Sequence, residues 1–171
     1  ELAKLLIAAR NSEKVAEYLP LFILLGVYTG ARKEALLSLK WIQIDFEQGR
    51  INLNPAGRAQ TKKRRPTIPI SNKLFRVLSR QKATASRPYV ISRNGQRLKD
   101  VKRSFRTAWQ AANLSPATPH VLRHTCITWM MQKGVPAWEV GGYVGSTTQN
   151  IEQVYGHHSP DCLKRAVEAI G

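Results

Sequence analysis

The sequence is poor in acidic residues, in cysteine and in long apolar runs, and each shortage excludes a class of protein. Asp and Glu number 11 against 27 Lys and Arg in 171 residues. Two cysteines, Cys126 and Cys162, are too few for a disulfide framework or a Cys-rich zinc site, which favours a reducing cytosol. The most apolar stretch, residues 19–28, is about ten residues long, whereas a membrane span needs about 20. We therefore expect a cytoplasmic protein without a membrane span.

The excess of positive charge indicates a polyanionic partner. The formal net charge is +16, and the bases are spread through amphipathic segments instead of forming one tail. This distribution predicts a folded, charged binding surface. Nucleic acid is the partner that it favours, because Lys and Arg that neutralise phosphates supply affinity independent of sequence. A basic ribosomal protein or a membrane-surface protein would share the same signature.

The length of the chain fits one compact domain, so we interpret residues 1–171 as a single domain. The chain opens on Glu1 without a leader pattern. We therefore expect a fragment of a longer protein, from which an N-terminal domain is absent.

Apolar periodicity divides the chain into helices around one small sheet. Two helices are predicted to open it, and Arg32 falls at or near the start of a third. Over residues 41–70 apolar residues such as Ile42 and Ile44 alternate with polar ones, which predicts a small antiparallel sheet. Helical spacing returns over residues 73–82, 101–112, 120–132, 137–143 and 160–170. The predicted fold is mainly α with a small antiparallel β-sheet (α+β). Its core is expected to hold Trp109, Trp129 and Trp138.

One predicted helix carries a group of basic side chains on one face. Thr118 can cap a helix that begins at Pro119, and His120, Arg123 and His124 then share a face at positions i, i+3 and i+4. The group is also compatible with a polar surface that holds one histidine in the core. A zinc site is less favoured, because residue 121 is valine where the metalloprotease motif has glutamate.

This pattern, His120-x-x-Arg123-His124, resembles the HxxRH box of the tyrosine recombinases, the phage-integrase type of site-specific DNA recombinase. Upstream, Thr29-Gly30-Ala31-Arg32 is similar to the family's first arginine box, and Gln60-Thr61-Lys62 is similar to its hairpin lysine segment. Downstream, the run from Tyr143 to His157 looks like the family's LGH…T…Y-x-H ending. Ser146 lies 23 residues after Arg123, and Tyr155 lies nine after Ser146, spacings similar to those of the family. The resemblance covers nearly the whole chain.

The resemblance implies a role for each of these side chains. Tyr155 would attack a DNA phosphate and form a 3′-phosphotyrosyl link, without a metal or a nucleotide. Arg32 and Arg123 would grip the non-bridging oxygens with rigid forks. Lys62, favoured over Lys63, would protonate the 5′-oxygen, and His120 would be a general base or a phosphate contact. The side chains expected to contact DNA are Lys63, Arg64, Arg65, His124 and His157.

Two positions depart from the family pattern. Ser146 stands where the family usually has His or Trp, and a serine can donate only one hydrogen bond to the phosphate. His157, His158 or Trp138 could take over that contact in space. The family also often has an acidic residue three after its first arginine, where this chain has Ala35, with Glu34 one place earlier.

The predicted function is a DNA strand-exchange enzyme from a mobile element of a prokaryotic cell, acting in the DNA-associated cytoplasm. The resemblance implies a double-stranded recombination site as partner and a homotetramer on two duplexes, or a monomer in isolation. Accessory DNA-bending proteins are further candidate partners, and the absent N-terminal domain would clamp the opposite face of the DNA. Two alternatives stay open: a type IB topoisomerase-like nicking-closing enzyme, and a catalytically silent DNA-binding module, which Ser146 supports.

Overall fold

The fold of the chain is seen in a computed structural model that describes residues 1–61, 63–85, 87–160 and 162–170. In these ranges the helices are α1 Leu2–Asn11, α2 Leu19–Thr29, α3 Lys33–Leu37, α4 Asn72–Ala83, α5 Lys102–Ala111, α6 Val121–Gln132, α7 Ala137–Val144, α8 Thr148–Tyr155 and α9 Lys164–Glu168. The strands are β1 Ile44–Asp45, β2 Arg50–Asn52, β3 Thr67–Pro69, β4 Ser92–Arg93 and β5 Gln96–Arg97. Short 3₁₀ helices cover Trp41–Gln43 and Gly156–His158. The mainly helical architecture with a small sheet is confirmed.

The main sheet is antiparallel with strand order β1-β2-β3. Its register pairs Ile44 with Ile51 and Ile51 with Ile68, and all three side chains are buried. The alternation expected from Ile42 onward was wrong at its start. Residues Trp41–Gln43 form a 3₁₀ turn, so the Ile42 side chain is 91% exposed.

The sheet and the first five helices enclose one core, in which α2 is the central element. Most α2 side chains are buried, including Phe22, Ile23 and Leu25, which a helix packed on several sides requires. A smaller cluster lies among α6, α7 and α8 and contains Ile127, Met131, Val140, Val144, Ile151 and Tyr155. Because α2 also packs against α6, the two clusters are held together.

Of the three tryptophans expected in the core, only Trp109 is buried; the expectation was wrong for Trp129 and Trp138. Trp109 is 8% exposed, and its indole N–H donates to the carbonyl of Ser115. Trp129 and Trp138 are 42% and 67% exposed, because they lie on the solvent side of α6 and in the first turn of α7. None of the helices in the described ranges has the length and apolarity needed to span a membrane.

Candidate active site

The turn between α2 and α3 positions Arg32. Helix α2 ends on Gly30 in the left-handed conformation, with φ of 59°. The Thr29 hydroxyl donates to the carbonyl of Leu25 at 2.6 Å and accepts from the Ala31 amide at 3.1 Å, so it closes the turn on both sides. Arg32 is the N-cap residue of α3, as the sequence predicted.

Arg123 lies in the first turns of α6 and is only 6% exposed. Its Nη1 donates to the carbonyl of Gly30 at 2.7 Å and to the carbonyl of Val144 at 2.6 Å. Burial, and then the positive charge of Arg32, lowers the pKa of Arg123 to about 10. The guanidinium is therefore fixed in place by backbone acceptors and lies near a second cation.

That second cation is held in the same way. Nη1 of Arg32 donates to the carbonyl of Gly145 at 3.1 Å and to the carbonyl of Arg64 at 3.2 Å. Val144 and Gly145 are consecutive residues, so their adjacent carbonyls hold the two guanidiniums beside each other. In the described part of the chain no carboxylate lies within ion-pair distance of either arginine. Two fixed cations without an acidic partner form a site for an anion with several oxygen atoms, such as a phosphate.

Gly145 is required where α7 meets the basic connection between β2 and β3. Its φ is 67°, and an added Cβ would lie 2.4 Å from the carbonyl oxygen of Arg64. Only glycine combines this conformation with so close a backbone approach. The close approach brings residues 63–65 to the edge of the arginine pair.

The basic connection, residues 63–65 between β2 and β3, contacts the arginine pair through the Arg64 carbonyl, which accepts from Arg32. Lys63 and Arg64 are exposed, and both are free to face a ligand. Arg65 is half-buried, and its Nη1 donates to the Ser38 hydroxyl at 3.0 Å, so it also ties the connection to α3. Lys62, the predicted general acid, lies outside the described residues.

Tyr155 ends α8, and the structure places it beside α6. Its side chain is 6% exposed within the smaller cluster, and its hydroxyl lies 2.5 Å from Nδ1 of His124. Burial raises the pKa of Tyr155, an effect that the positive charge of Arg123 opposes. The predicted nucleophile and the predicted phosphate ligands are therefore brought together from α3, α6 and α8.

His120, the N-cap residue of α6, and His124 within α6 form a contact pair. The His120 and His124 ring centroids are 4.7 Å apart, and the ring planes are perpendicular. Partial burial lowers the pKa of His120, and the nearby charges of His124, Arg123 and Arg32 lower it further. His120 is thus favoured in its neutral form at the edge of the cationic site.

Ser146 and His157 lie close in sequence to Gly145 and Tyr155. In the described hydrogen bonds, neither side chain is bonded to Arg32 or Arg123. Ser146 follows Gly145, and its hydroxyl accepts from Nδ2 of Asn150 at 3.1 Å. His157 is exposed in the 3₁₀ helix after Tyr155, and its ring centroid is 3.9 Å from that of His158. No cluster of three His, Cys, Asp or Glu side chains suited to a metal ion occurs among the described residues.

Sequence reasoning missed two features of this site. The carbonyls of Val144 and Gly145 are backbone groups, so no residue type marks them as acceptors for the arginines. The hydrogen bond between His124 and Tyr155 joins residues 31 positions apart, and the sequence placed His124 only among the expected DNA contacts.

Comparison with known proteins gives consistent matches over most of the chain. The model of the phage integrase family matches residues 1–161. The chain is 29% identical to the tyrosine recombinase XerA of Pyrococcus furiosus and 27% identical to the integrase of Salmonella phage P22, over 98% and 95% of its length. It spans 59% of the first protein and 45% of the second.

A solved structure shows the same fold. The catalytic domain of bacteriophage HP1 integrase superposes with a TM-score of 0.68 at 25% identity, over 98% of this chain and 89% of that domain. The chain belongs to the phage integrase family.

Proposed function

We propose that the chain is the catalytic domain of a site-specific DNA recombinase, which cleaves and rejoins DNA strands through a 3′-phosphotyrosyl link to Tyr155. The observation that carries the proposal is the pair of guanidiniums on Arg32 and Arg123, held by adjacent carbonyls without an acidic partner. Tyr155 lies close enough to Arg123 for that charge to act on its hydroxyl. Relatives named tyrosine recombinase and integrase support this activity.

In the proposed reaction the arginine pair binds the scissile phosphate and Tyr155 attacks it. A bond forms between the tyrosine oxygen and phosphorus, and the bond from phosphorus to the 5′-oxygen breaks. The tyrosine proton passes to a base, and a general acid protonates the 5′-oxygen. The arginines stabilise the charge that develops on the non-bridging oxygens. Rejoining reverses these steps, because the phosphotyrosyl bond conserves the energy of the broken diester.

The proposed acid is Lys62, with Lys63 as the alternative. Lys63 is exposed in the segment that approaches Gly145, which supports a source of the acid in this connection. His120 is proposed to contact the scissile phosphate or to act as a base. Ser146 is proposed to donate one hydrogen bond to the same phosphate. Lys63, Arg64, Arg65, His124 and His157 are proposed to lie along the DNA.

The partners follow from the same proposal. A charge of +16 suits a duplex recombination site. We propose a homotetramer on two duplexes as the active assembly, a monomer for this domain alone, and a further N-terminal domain that clamps the DNA. Accessory DNA-bending proteins would assist in a prokaryotic, DNA-associated setting.

The other two functions have less support. A silent DNA-binding module does not require a tyrosine near Arg123 or two adjacent guanidiniums without an acidic partner in the described part of the chain. A nicking-closing topoisomerase would use similar side chains, so the products must separate it from a recombinase.

Covalent trapping tests the proposal without knowledge of the DNA site. The chain is incubated with a pool of duplexes whose sequence is randomised around a nick, so that cleavage releases a short fragment and traps the adduct. An SDS-stable adduct is expected, and sequencing of its DNA would reveal the site. No adduct under conditions where the pool is bound would favour the silent module. Exchange between two duplexes that carry the recovered site would separate a recombinase from an enzyme that only relaxes supercoils.

A further inference from the structure

His124 makes a contact to which the proposed function assigns no role. Its Nδ1 lies 2.5 Å from the hydroxyl oxygen of Tyr155. We infer that His124 is the base that takes the proton of Tyr155 as the tyrosine attacks phosphorus, an inference that rests on the proposed function. His124 then acts on the reacting oxygen itself and is a catalytic residue, in addition to any contact with DNA.

Burial of the tyrosine makes an adjacent base necessary. The side chain of Tyr155 is 6% exposed, so bulk water has little access to its proton. Burial also disfavours the tyrosinate, and the charge of Arg123 only partly offsets this effect. A tyrosine with an ordinary pKa near 10 is a weak nucleophile at neutral pH unless a positioned group accepts its proton.

The ring of His124 is fixed in an orientation suited to this transfer. It lies edge-to-face against His120 and at 41° to the Tyr155 ring, with centroids 4.7 Å and 5.6 Å away. Its backbone belongs to α6, which packs against α8 through the smaller cluster. A base on one helix is therefore held against a nucleophile on another, which preserves the short distance without a flexible loop.

The proton balance requires one tautomer. Nδ1 can accept from Tyr155 only when the neutral imidazole carries its proton on Nε2. As the tyrosine oxygen bonds to phosphorus, its proton moves to Nδ1 and leaves an imidazolium. His124 is exposed, so the imidazolium can return a proton to solvent. The 5′-oxygen takes its own proton from the general acid, so the two transfers use different groups.

His120 is less well placed for this role. It contacts the His124 ring, and in the described hydrogen bonds the Tyr155 hydroxyl is joined to His124 and not to His120. Among the described residues, the titratable and charged groups near His124 include His120 at the N-cap of α6, Arg123 beside it in α6 and Tyr155 on α8. Glu1 borders the same cavity, and His157 and His158 belong to the 3₁₀ helix that packs on α6.

The test compares single-turnover adduct formation for three chains under saturating DNA across a range of pH. In His124→Asn the amide oxygen can take the place of Nδ1 as an acceptor but cannot hold a proton. A base role predicts a loss of about 10²-fold or more, because general bases contribute rate factors of that order. It also predicts that the pH profile of the rate changes when the imidazole is replaced. Gln132→Ala, two turns further along the same helix face, is the matched control and is expected to match the wild type.

Near-normal rates and an unchanged pH profile in His124→Asn would overturn the inference, since the histidine would then only position the hydroxyl. A substrate with sulfur in place of the bridging 5′-oxygen adds a second criterion, because a thiolate leaves without protonation. This substrate should rescue Lys62→Ala but not His124→Asn. Rescue of His124→Asn would also contradict a base role.

Two further results distinguish failure of the proposed function from failure of the His124 inference. If the wild-type chain binds DNA but forms no adduct, the proposed function fails; if it forms adducts that do not depend on His124, only the inference fails. Should His124→Asn fail to fold, nitrogen NMR of the wild-type chain decides the tautomer. A proton on Nε2 of the neutral ring is expected, and a proton on Nδ1 would exclude the transfer.

Discussion

Nη1 of Arg123 donates a 2.6 Å hydrogen bond to the carbonyl of Val144, one peptide before the carbonyl that accepts from Arg32. The last turn of α7 therefore positions both guanidiniums. The separation of the two cations depends on one short backbone segment, so changes in that segment are expected to act on both arginines together.

Arg123→Lys should damage stability and activity together. A lysine keeps the charge, but its side chain is one atom shorter than the path to Nη1, which donates to both Gly30 and Val144, and it lacks the other N–H donors of the guanidinium. We expect the free energy of unfolding to fall by about 2 kcal/mol, because buried acceptors lose their donors. Adduct formation should fall by about 10²–10³-fold, as when a preorganised transition-state donor is removed. Chemical denaturation and single-turnover trapping measure the two effects.

Arg76→Lys is the control for that variant, because Arg76 is exposed on α4. It should leave both measurements close to those of the wild type. A stable, fully active Arg123→Lys chain would contradict the role assigned to the Arg123 guanidinium.

Gly145→Ala and Gly142→Ala should move stability in opposite directions. At Gly145 an alanine meets the Arg64 carbonyl in a left-handed conformation, so the free energy of unfolding should fall by about 2 kcal/mol or more. Gly142 lies inside α7 with open space around it, and alanine there should add about 0.5–1 kcal/mol. Thermal unfolding of both variants measures the difference, and equal effects would refute the close-approach argument.

Much of this fold could be predicted from local patterns. The apolar period of two located the sheet, and the interruption at Gly30 placed Arg32 at the start of α3. The shared helix face of His120, Arg123 and His124 was also expected from spacing alone, although α6 begins at Val121, two residues after the expected start. These features depend on neighbours within a few residues, which is the range that sequence periodicity reports.

Helix α8 and the β4–β5 hairpin, which the sequence analysis did not predict, both carry local signals in the sequence. Helix α8 has a capping residue in Thr147, whose side chain accepts from Asn150, and apolar residues at Ile151 and Tyr155 four positions apart. The β4–β5 hairpin turns on Asn94-Gly95, both with positive φ, a combination typical of two-residue hairpin turns.

Other features could not be predicted because they depend on tertiary packing. The exposure of Trp129 and Trp138 is set by which faces of α6 and α7 remain uncovered. The contact of Tyr155 with His124 requires α8 to fold back on α6, and no local pattern encodes that distance.

The pH response of His120 should differ between the free and the DNA-bound chain. The pKa of His120 lies below its usual 6.5 in the free chain, because of partial burial and the cations around it. The fold disfavours the charged form of His120. The contribution of the neutral ring to the free energy of unfolding is therefore fully present above pH 6.5 and is lost as the pH falls through the lowered pKa. A bound phosphate neutralises those cations, so the pKa should rise in the complex. Proton–carbon NMR titration measures both values, and no rise on binding would separate His120 from the phosphate site.

The basic connection should divide into a residue that acts in cleavage and residues that act in binding. Lys62→Ala should slow cleavage far more than it weakens binding, and more than Lys63→Ala does. Arg64→Ala should mainly weaken binding and reduce the salt slope by about one, as expected when one phosphate contact is lost. Filter binding at several salt concentrations, paired with trapping rates, distinguishes the two kinds of effect. A larger cleavage defect in Lys63→Ala than in Lys62→Ala would identify Lys63 as the general acid.

The attachment site of the trapped DNA tests the central claim most directly. The covalent adduct is digested with nuclease and protease, and the peptide that retains a nucleotide is sequenced by mass spectrometry. We predict that the nucleotide is attached to Tyr155 through its 3′-phosphate, and that Tyr155→Phe binds DNA but yields no adduct. Attachment to another residue, or an adduct in Tyr155→Phe at the wild-type level, would contradict the account.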